Sequence, residues 1–165
     1  MFEVSLRPVD TTDRERLWVW SNDPDVRAQS FSTALISHEE HKRWFDARLL
    51  DPFWRAWIGT EAGLQAVGVV RFQIQGLRAE IGVNVAREAR GRGVGRLLIL
   101  QGCIALFETG LITAVDARIK LDNTASVAAF RGAGFWQTGT DFSPPFPCTH
   151  WTFSPTGDPA SAQPG

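Results

Sequence analysis

Two hydrophobic periods alternate along the chain, and the changes between them mark its elements. FEVSLRPV places Phe2, Val4 and Leu6 at every second position, the period of a half-buried strand. Asp10 to Asp13 then offers N-cap chemistry ahead of ERLWVW, which predicts a first helix over about Thr12 to Ser21. The following NDPDVRAQSF breaks that helix at Pro24. Ser37 and Glu40 form an S-x-x-E capping box, and Trp44, Phe45, Leu49 and Leu50 lie near helical spacing, so a second helix is expected from about His38 to Leu50.

From Phe53 the period shortens again. RAWIGT, LQAVGVVRFQIQ and AEIGVNV read as three successive antiparallel strands, with turn-like breaks at EAG and QGLR. The long apolar stretch from Gly95 to Glu108 predicts a helix packed on a sheet, and ITAVDARI a strand after it. NTASVAAFRGAGF begins with N-cap residues and stops at Gly134, as a glycine-capped helix does. Two last strands are expected near Phe135 to Asp141 and Thr149 to Phe153. The expectation is therefore one α/β domain of the α+β type over residues 1–154, with about seven strands and four helices. The tail over 155–165, rich in Pro, Gly, Ala and Ser, is expected to be disordered.

Composition narrows the partners more than the fold. At 165 residues and 44% hydrophobic content there is room for one compact domain with a real core. The formal net charge of -1 gives no bulk attraction to nucleic acid or to an anionic membrane. The two cysteines, Cys103 and Cys148, match neither a metal site nor a disulfide framework. No basic leader precedes an apolar core, and no apolar run approaches the ~20 residues of a membrane span, so a cytoplasmic setting is expected.

One stretch calls for special chemistry. In REARGRGVGRLL, Gly91, Gly93 and Gly95 stand among Arg87, Arg90, Arg92 and Arg96, between a strand and a helix. Glycine loses the most backbone entropy on folding, so this spacing needs a reason. A glycine turn at a helix start leaves outward-pointing N–H groups at the positive end of the helix dipole, which is an anion site; the alternative is an ordinary tight turn with solvated arginines. GxxxxGK[ST] is absent and the preceding strands form a meander, which excludes a P-loop and a dinucleotide βαβ unit.

Arg90-Gly91-Arg92-Gly93-Val94-Gly95 resembles the pyrophosphate signature of the GNAT superfamily of acetyl-CoA-dependent N-acetyltransferases, and Asn123, Ser126, Phe130 and Gly134-Phe135 resemble its second motif. The resemblance covers roughly Phe2 to Phe153. It implies the GNAT fold, a central, mostly antiparallel mixed sheet flanked by helices. It also implies acetyl-CoA as cosubstrate, no metal, and direct transfer to a primary amine in a ternary complex. Acetyl-CoA is then expected at Arg90, Gly91, Arg92, Gly93, Val94, Gly95 and Arg96, along the strand at Val83 and Val85, and against Asn123, Ser126 and Phe130. The thioester oxygen is expected to meet a backbone N–H near Val83 or Asn84.

Glu80, at the start of that strand, is the first candidate for the base, with His38, His41 and His150 behind it. Family members often carry tyrosine where this chain has Phe130, and the sequence contains no tyrosine. The thiolate then leaves unassisted, or with help from Ser126, water or Cys148.

The segments Asn22 to Arg27 and Glu39 to Phe45 resemble a branch holding ribosomal-protein N-terminal acetyltransferases and the amino-sugar nucleotide acetyltransferases of nonulosonic acid synthesis. A nucleotide-linked amino sugar is the leading acceptor on that resemblance. A protein N-terminus is the second reading, and a non-catalytic acetyl-CoA-binding module the third. Nucleic acid and membrane are not expected partners, and a homodimer is left open.

Overall fold

A computed structural model describes residues 3–62 and 64–157. It contains β1 (Ser5–Pro8), α1 (Arg14–Ser21), α2 (Pro24–Gln29), α3 (His38–Leu50), β2 (Trp54–Glu61), β3 (Gln65–Gln75) and β4 (Arg78–Val85). There follow α4 (Val94–Phe107), β5 (Ala114–Lys120), α5 (Thr124–Gly132), β6 (Trp136–Asp141) and β7 (Cys148–Phe153). The strands form one sheet in the order β1-β2-β3-β4-β5-β7-β6. Every neighbouring pair is antiparallel except β4 and β5.

The expected pattern of elements holds with one correction, because five helices are described rather than four. Pro24 starts a helix rather than merely ending one. Proline at the first helical position loses no intrahelical bond, and Asp23 caps it by accepting from the N–H of Asp25 at 3.0 Å. Phe2 and residues 158–165 of the expected tail lie outside the described residues.

Helix α4 packs on one face of the sheet, with Leu98, Ile99, Cys103 and Leu106 against Val67, Val70 and Phe72. Its approach is close because β2 and β3 carry glycines beneath Leu98. A Cβ on Gly59 would stand 2.3 Å from Leu98 Cδ2, and one on Gly68 2.7 Å from Leu98 Cδ1. Leu17, Phe45, Ile58 and Val69 form a smaller cluster on the opposite side, tying α1 and α3 to the sheet. There the fully buried Asp13 accepts from Arg7 at 2.7 and 2.8 Å and from Arg16 at 2.8 Å, which fixes β1 to the start of α1.

The functional consequence lies at the centre of the sheet. Strand β4 pairs with β3 along its whole length, from Arg78 opposite Gln75 to Val85 opposite Gly68. Against β5 it pairs only from Arg78 to Glu80. Beyond Glu80 the two strands diverge.

Candidate functional site

The divergence opens a cleft of ≈ 1370 Å³ between β4, β5, the start of α4, α5 and the segment around α2. Strand alternation decides which backbone groups face it. The N–H of Ala86 donates to Val67 O on the β3 side at 2.8 Å, whereas Val85 O accepts from Arg90 Nε at 3.1 Å on the other. Successive residues alternate, so the N–H and C=O of Ile81, Val83 and Val85 point into the opening, and those of Gly82 and Asn84 point to β3. Of the two positions expected to offer an oxyanion donor, Val83 therefore presents its N–H to the cleft. Asn84 lines the cleft, 8% exposed, but turns its N–H toward β3.

At one end of the cleft, Gly91 and Gly93 have φ of 74° and 79°, the left-handed region that favours glycine. A Cβ on either would meet nothing within 4 Å, so a ligand can reach the bare backbone. Gly93 is the N-cap of α4, and the first intrahelical bond of that helix runs from Leu97 N–H to Gly93 O at 3.3 Å. Val94, Gly95 and Arg96 thus keep their N–H groups for an outside acceptor at the positive end of the dipole. Gly95 itself is helical, and a Cβ there would lie 3.5 Å from Val85 Cγ2 and 3.8 Å from Ala129 Cβ, in the gap between β4 and α5.

The arginines of the turn are all engaged within the protein. Arg87 and Arg90 pair with Asp23 at 3.0 and 3.3 Å, and Arg90 also reaches Asp25 at 3.2 Å. Arg92 grips Glu61 through both nitrogens at 3.1 and 3.0 Å and is not part of the cleft wall. Arg96 lines the cleft and donates to Gly132 O at 2.9 Å. Backbone N–H groups, rather than unmatched arginine charge, are what the turn offers most directly to an anion.

On the far wall, Asn123 caps α5 by accepting from Ser126 N–H at 3.1 Å, which commits its Oδ1 and leaves its amide nitrogen as the donor end. Ser126 and Phe130 line the same wall, one turn apart. Phe130 is 4% exposed and packs edge-on against Phe135 with ring centroids 5.0 Å apart. Glu80 stands where β4 and β5 part and pairs with Arg118 at 3.1 Å.

The other base candidates lie elsewhere. His38 is 2.6 Å from Glu15 and edge-on to Trp18, off the cleft. Burial pushes the buried His41 below its usual pKa, although its Nε2 donates to Arg14 O at 2.8 Å. His150 and Cys148, 3.9 Å apart on β7, also stand off the cleft wall, and burial pushes the Cys103 thiol up to about 12.

Three cleft residues were not singled out by sequence patterning. Lys120 donates to Ala28 O at 2.9 Å and sits 3.8 Å from the Phe146 ring centroid, so the end of α2 is tied across to β5. Arg118 lies 4.6 Å from the Phe31 ring, adding to that bridge. Arg71 is the lone charge in the run AVGVVRF, which was its one visible signal. Burial, and secondarily the charge of Arg27, pull its pKa down, which leaves a guanidinium still charged. Among the described residues no group of three or more His, Cys, Asp or Glu is disposed to hold a metal ion.

A mixed sheet split at its parallel pair, beside a glycine turn at a helix start, makes a continuous cleft with an anion site at one end. The model of the "Acetyltransferase (GNAT) domain" family matches residues 3–136, and the chain belongs to that family of acetyl-CoA-dependent acetyltransferases. It is 27% identical over 161 residues to a mycothiol acetyltransferase of Renibacterium salmoninarum, covering 86% of this chain and 44% of that protein. The chain thus spans less than half the length of that curated relative.

Among solved structures, spermidine N-acetyltransferase from Vibrio cholerae in complex with CoA and spermine superposes with a TM-score of 0.84 at 18% identity, over 93% of this chain and 96% of that one. Aminoglycoside acetyltransferase AAC(6')-Ib in complex with coenzyme A and kanamycin gives 0.79 at 16% identity, over 94% and 96%. These likenesses concern the fold. The narrower ribosomal-protein or amino-sugar nucleotide branch is not represented among these relatives and remains a matter of the acceptor.

Proposed function

We propose that this chain transfers the acetyl group of acetyl-CoA to a primary amine on a small molecule, a nucleotide-linked amino sugar in its fullest form, within a ternary complex. Acetyl-CoA, when bound, supplies the acetyl group as an activated thioester. The observation that carries the reading is the divergence of β4 and β5 after Glu80, with the backbone groups of Val83 and the N–H of Val85 facing the opening that leads to the glycine turn at Gly91 and Gly93. Val83 N–H polarises the thioester carbonyl, and Glu80, directly or through water, takes a proton from the acceptor's ammonium, so that the neutral amine attacks. The new C–N bond forms as the C–S bond breaks. Ser126 or water meets the thiolate, which is already a tolerable leaving group near its ordinary pKa of ~8.5. Phe130 packs against the coenzyme without donating a proton.

The acceptor enters from the side of α1 to α3. There the end of α2 is tied to β5 through Ala28 and Lys120, which favours a compact acceptor over a peptide. The cleft wall also carries Arg27, Arg71 and Arg96, which suits the phosphates of a nucleotide sugar and would repel a polycation. Thiol release from acetyl-CoA with amino sugars, nucleotide amino sugars, N-terminal peptides and polyamines tests this. Turnover confined to sugar amines is the expected result; turnover confined to peptides, or none with any amine, overturns it.

A further inference from the structure

The charges on the cleft wall are not balanced one against one. Its carboxylates, Asp25, Glu80 and Asp116, are each matched by an arginine, at 3.2 Å by Arg90, 3.1 Å by Arg118 and 2.6 Å by Arg78. Among the described residues Arg71 has neither a hydrogen bond nor an ion pair, and the charge that acts on it is that of another cation, Arg27. Among the described residues Arg27 is itself bonded only to neutral oxygens, those of Ser21, Ser30, Ser32 and Ala34.

The sheet makes room for Arg71. Its cross-strand neighbours are Ala56 on β2 and Gly82 on β4. A Cβ on Gly82 would stand 3.0 Å from Arg71 Cζ, 3.1 Å from Nε and 3.2 Å from Nη2, so the guanidinium lies directly against the β4 backbone. That places it on the strand carrying Val83, two residues past Glu80. Gln29 Oε1, on the same cleft wall, is buried without a partner.

A partly buried guanidinium with no internal carboxylate is costly unless something else meets its donors. The geometry points to Arg71 as the residue that receives an anionic oxygen group, phosphate or carboxylate, carried by the amine acceptor. The planar donor fork matches both anions bidentately, and fixing that end of the acceptor brings its amine to the thioester beside Val83. This rests on the acetyl-transfer reading for what the acceptor does, but not for the anion site itself.

The test therefore has two arms. In the first, calorimetry measures inorganic phosphate and acetate binding to protein saturated with CoA, so that the glycine turn is already filled. Saturable binding that weakens about tenfold or more in Arg71→Gln, at unchanged melting temperature and CoA affinity, is expected. The stronger of the two anions identifies the source. In the second arm, kcat/KM is compared for glucosamine against glucosamine 6-phosphate and for ethanolamine against phosphoethanolamine and β-alanine. The anion-bearing amines should be preferred by about tenfold or more, with the preference lost in Arg71→Gln and in Gly82→Ala. Anion binding without turnover of any amine sinks the acetyl-transfer reading and leaves the subsite standing. Equal anion binding in wild type and Arg71→Gln, or equal rates on neutral and anionic amines, overturns the inference.

Discussion

Glu80 is the last residue of β4 to pair with β5, opposite Asp116, and the strands part immediately beyond it. Its carboxylate is held by Arg118 at 3.1 Å, and Asp116 by Arg78 at 2.6 Å and by Thr152 at 2.8 Å. Two adjacent acids on the cleft wall are thus oriented separately, and Glu80 is the one on the strand that presents the N–H of Val83. If it takes the ammonium proton, Glu80→Gln should lower kcat about 10²-fold, with little change in acetyl-CoA affinity. Stopped-time thiol release across pH checks this, and an unaltered pH–rate profile in the variant would remove Glu80 from the role.

Gly95 separates space from conformation. It is helical rather than left-handed, and its missing Cβ faces Val85 and Ala129 at ordinary contact distances. Gly95→Ala should leave acetyl-CoA binding close to wild type and raise stability, since alanine is favoured over glycine in a helix by about 1 kcal/mol. Gly95→Val fills the gap between β4 and α5, and overpacking of about 1–3 kcal/mol should weaken binding roughly ten- to hundredfold. Calorimetry with acetyl-CoA alongside thermal melts distinguishes the two; equal affinity in both variants would mean that the coenzyme does not pass Gly95.

Phe130 stands where the family often has tyrosine. Its ring is buried against Phe135, and its wall also carries Ser126. Phe130→Tyr should leave the rate within a few-fold of wild type if the thiolate leaves unassisted, because a missing acid that mattered would be worth about 10² or more. A large gain in that variant, with a strong loss in Ser126→Ala, would show that departure of the thiolate limits the rate.

Asp13 ties stability to pH. Burial alone would raise its pKa, but the hydrogen bonds from Arg7 and from the N–H of Asp10, with the charges of Arg7 and Arg16, outweigh burial and hold it below the usual carboxylate value. A depressed folded-state pKa contributes stability that is present above the unfolded value of about 4 and is lost as pH falls through the folded one. Denaturant midpoints should therefore drop with acidification below about pH 4, and Asp13→Asn should flatten that dependence. Water can still meet Arg7 and Arg16, which are 38% and 41% exposed, so losing their charged acceptor should cost the variant about 1–3 kcal/mol at neutral pH. An unchanged acid slope in Asp13→Asn would assign the dependence to other carboxylates.

What the sequence determined was whatever depends on neighbours along the chain. Hydrophobic period placed all seven strands and four of the five helices, because a strand or helix writes its burial into every second or every third to fourth residue. The span His38–Leu50 was legible in full because Ser37 marks its start and the apolar spacing its length. The short helix at Pro24 was not, since six residues carry too little periodicity and proline reads equally as a stop or as a first turn. The glycines at 91 and 93 were legible as a turn because left-handed backbone is a local property.

Only the tertiary structure decided where β4 leaves β5, since pairing between strands separated by α4 is not encoded in either strand's own period. That separation determines which N–H groups are free, and so favours Val83 over Asn84 as the backbone donor. It also decided the partners of the arginines. Arg90 and Arg92 look alike in REARGRGVGRLL, yet one meets Asp23 and Asp25 from α2 while the other meets Glu61 from β2. Arg71 meets no carboxylate among the described residues, a fact that depends on every strand and loop around it and on no stretch of sequence alone.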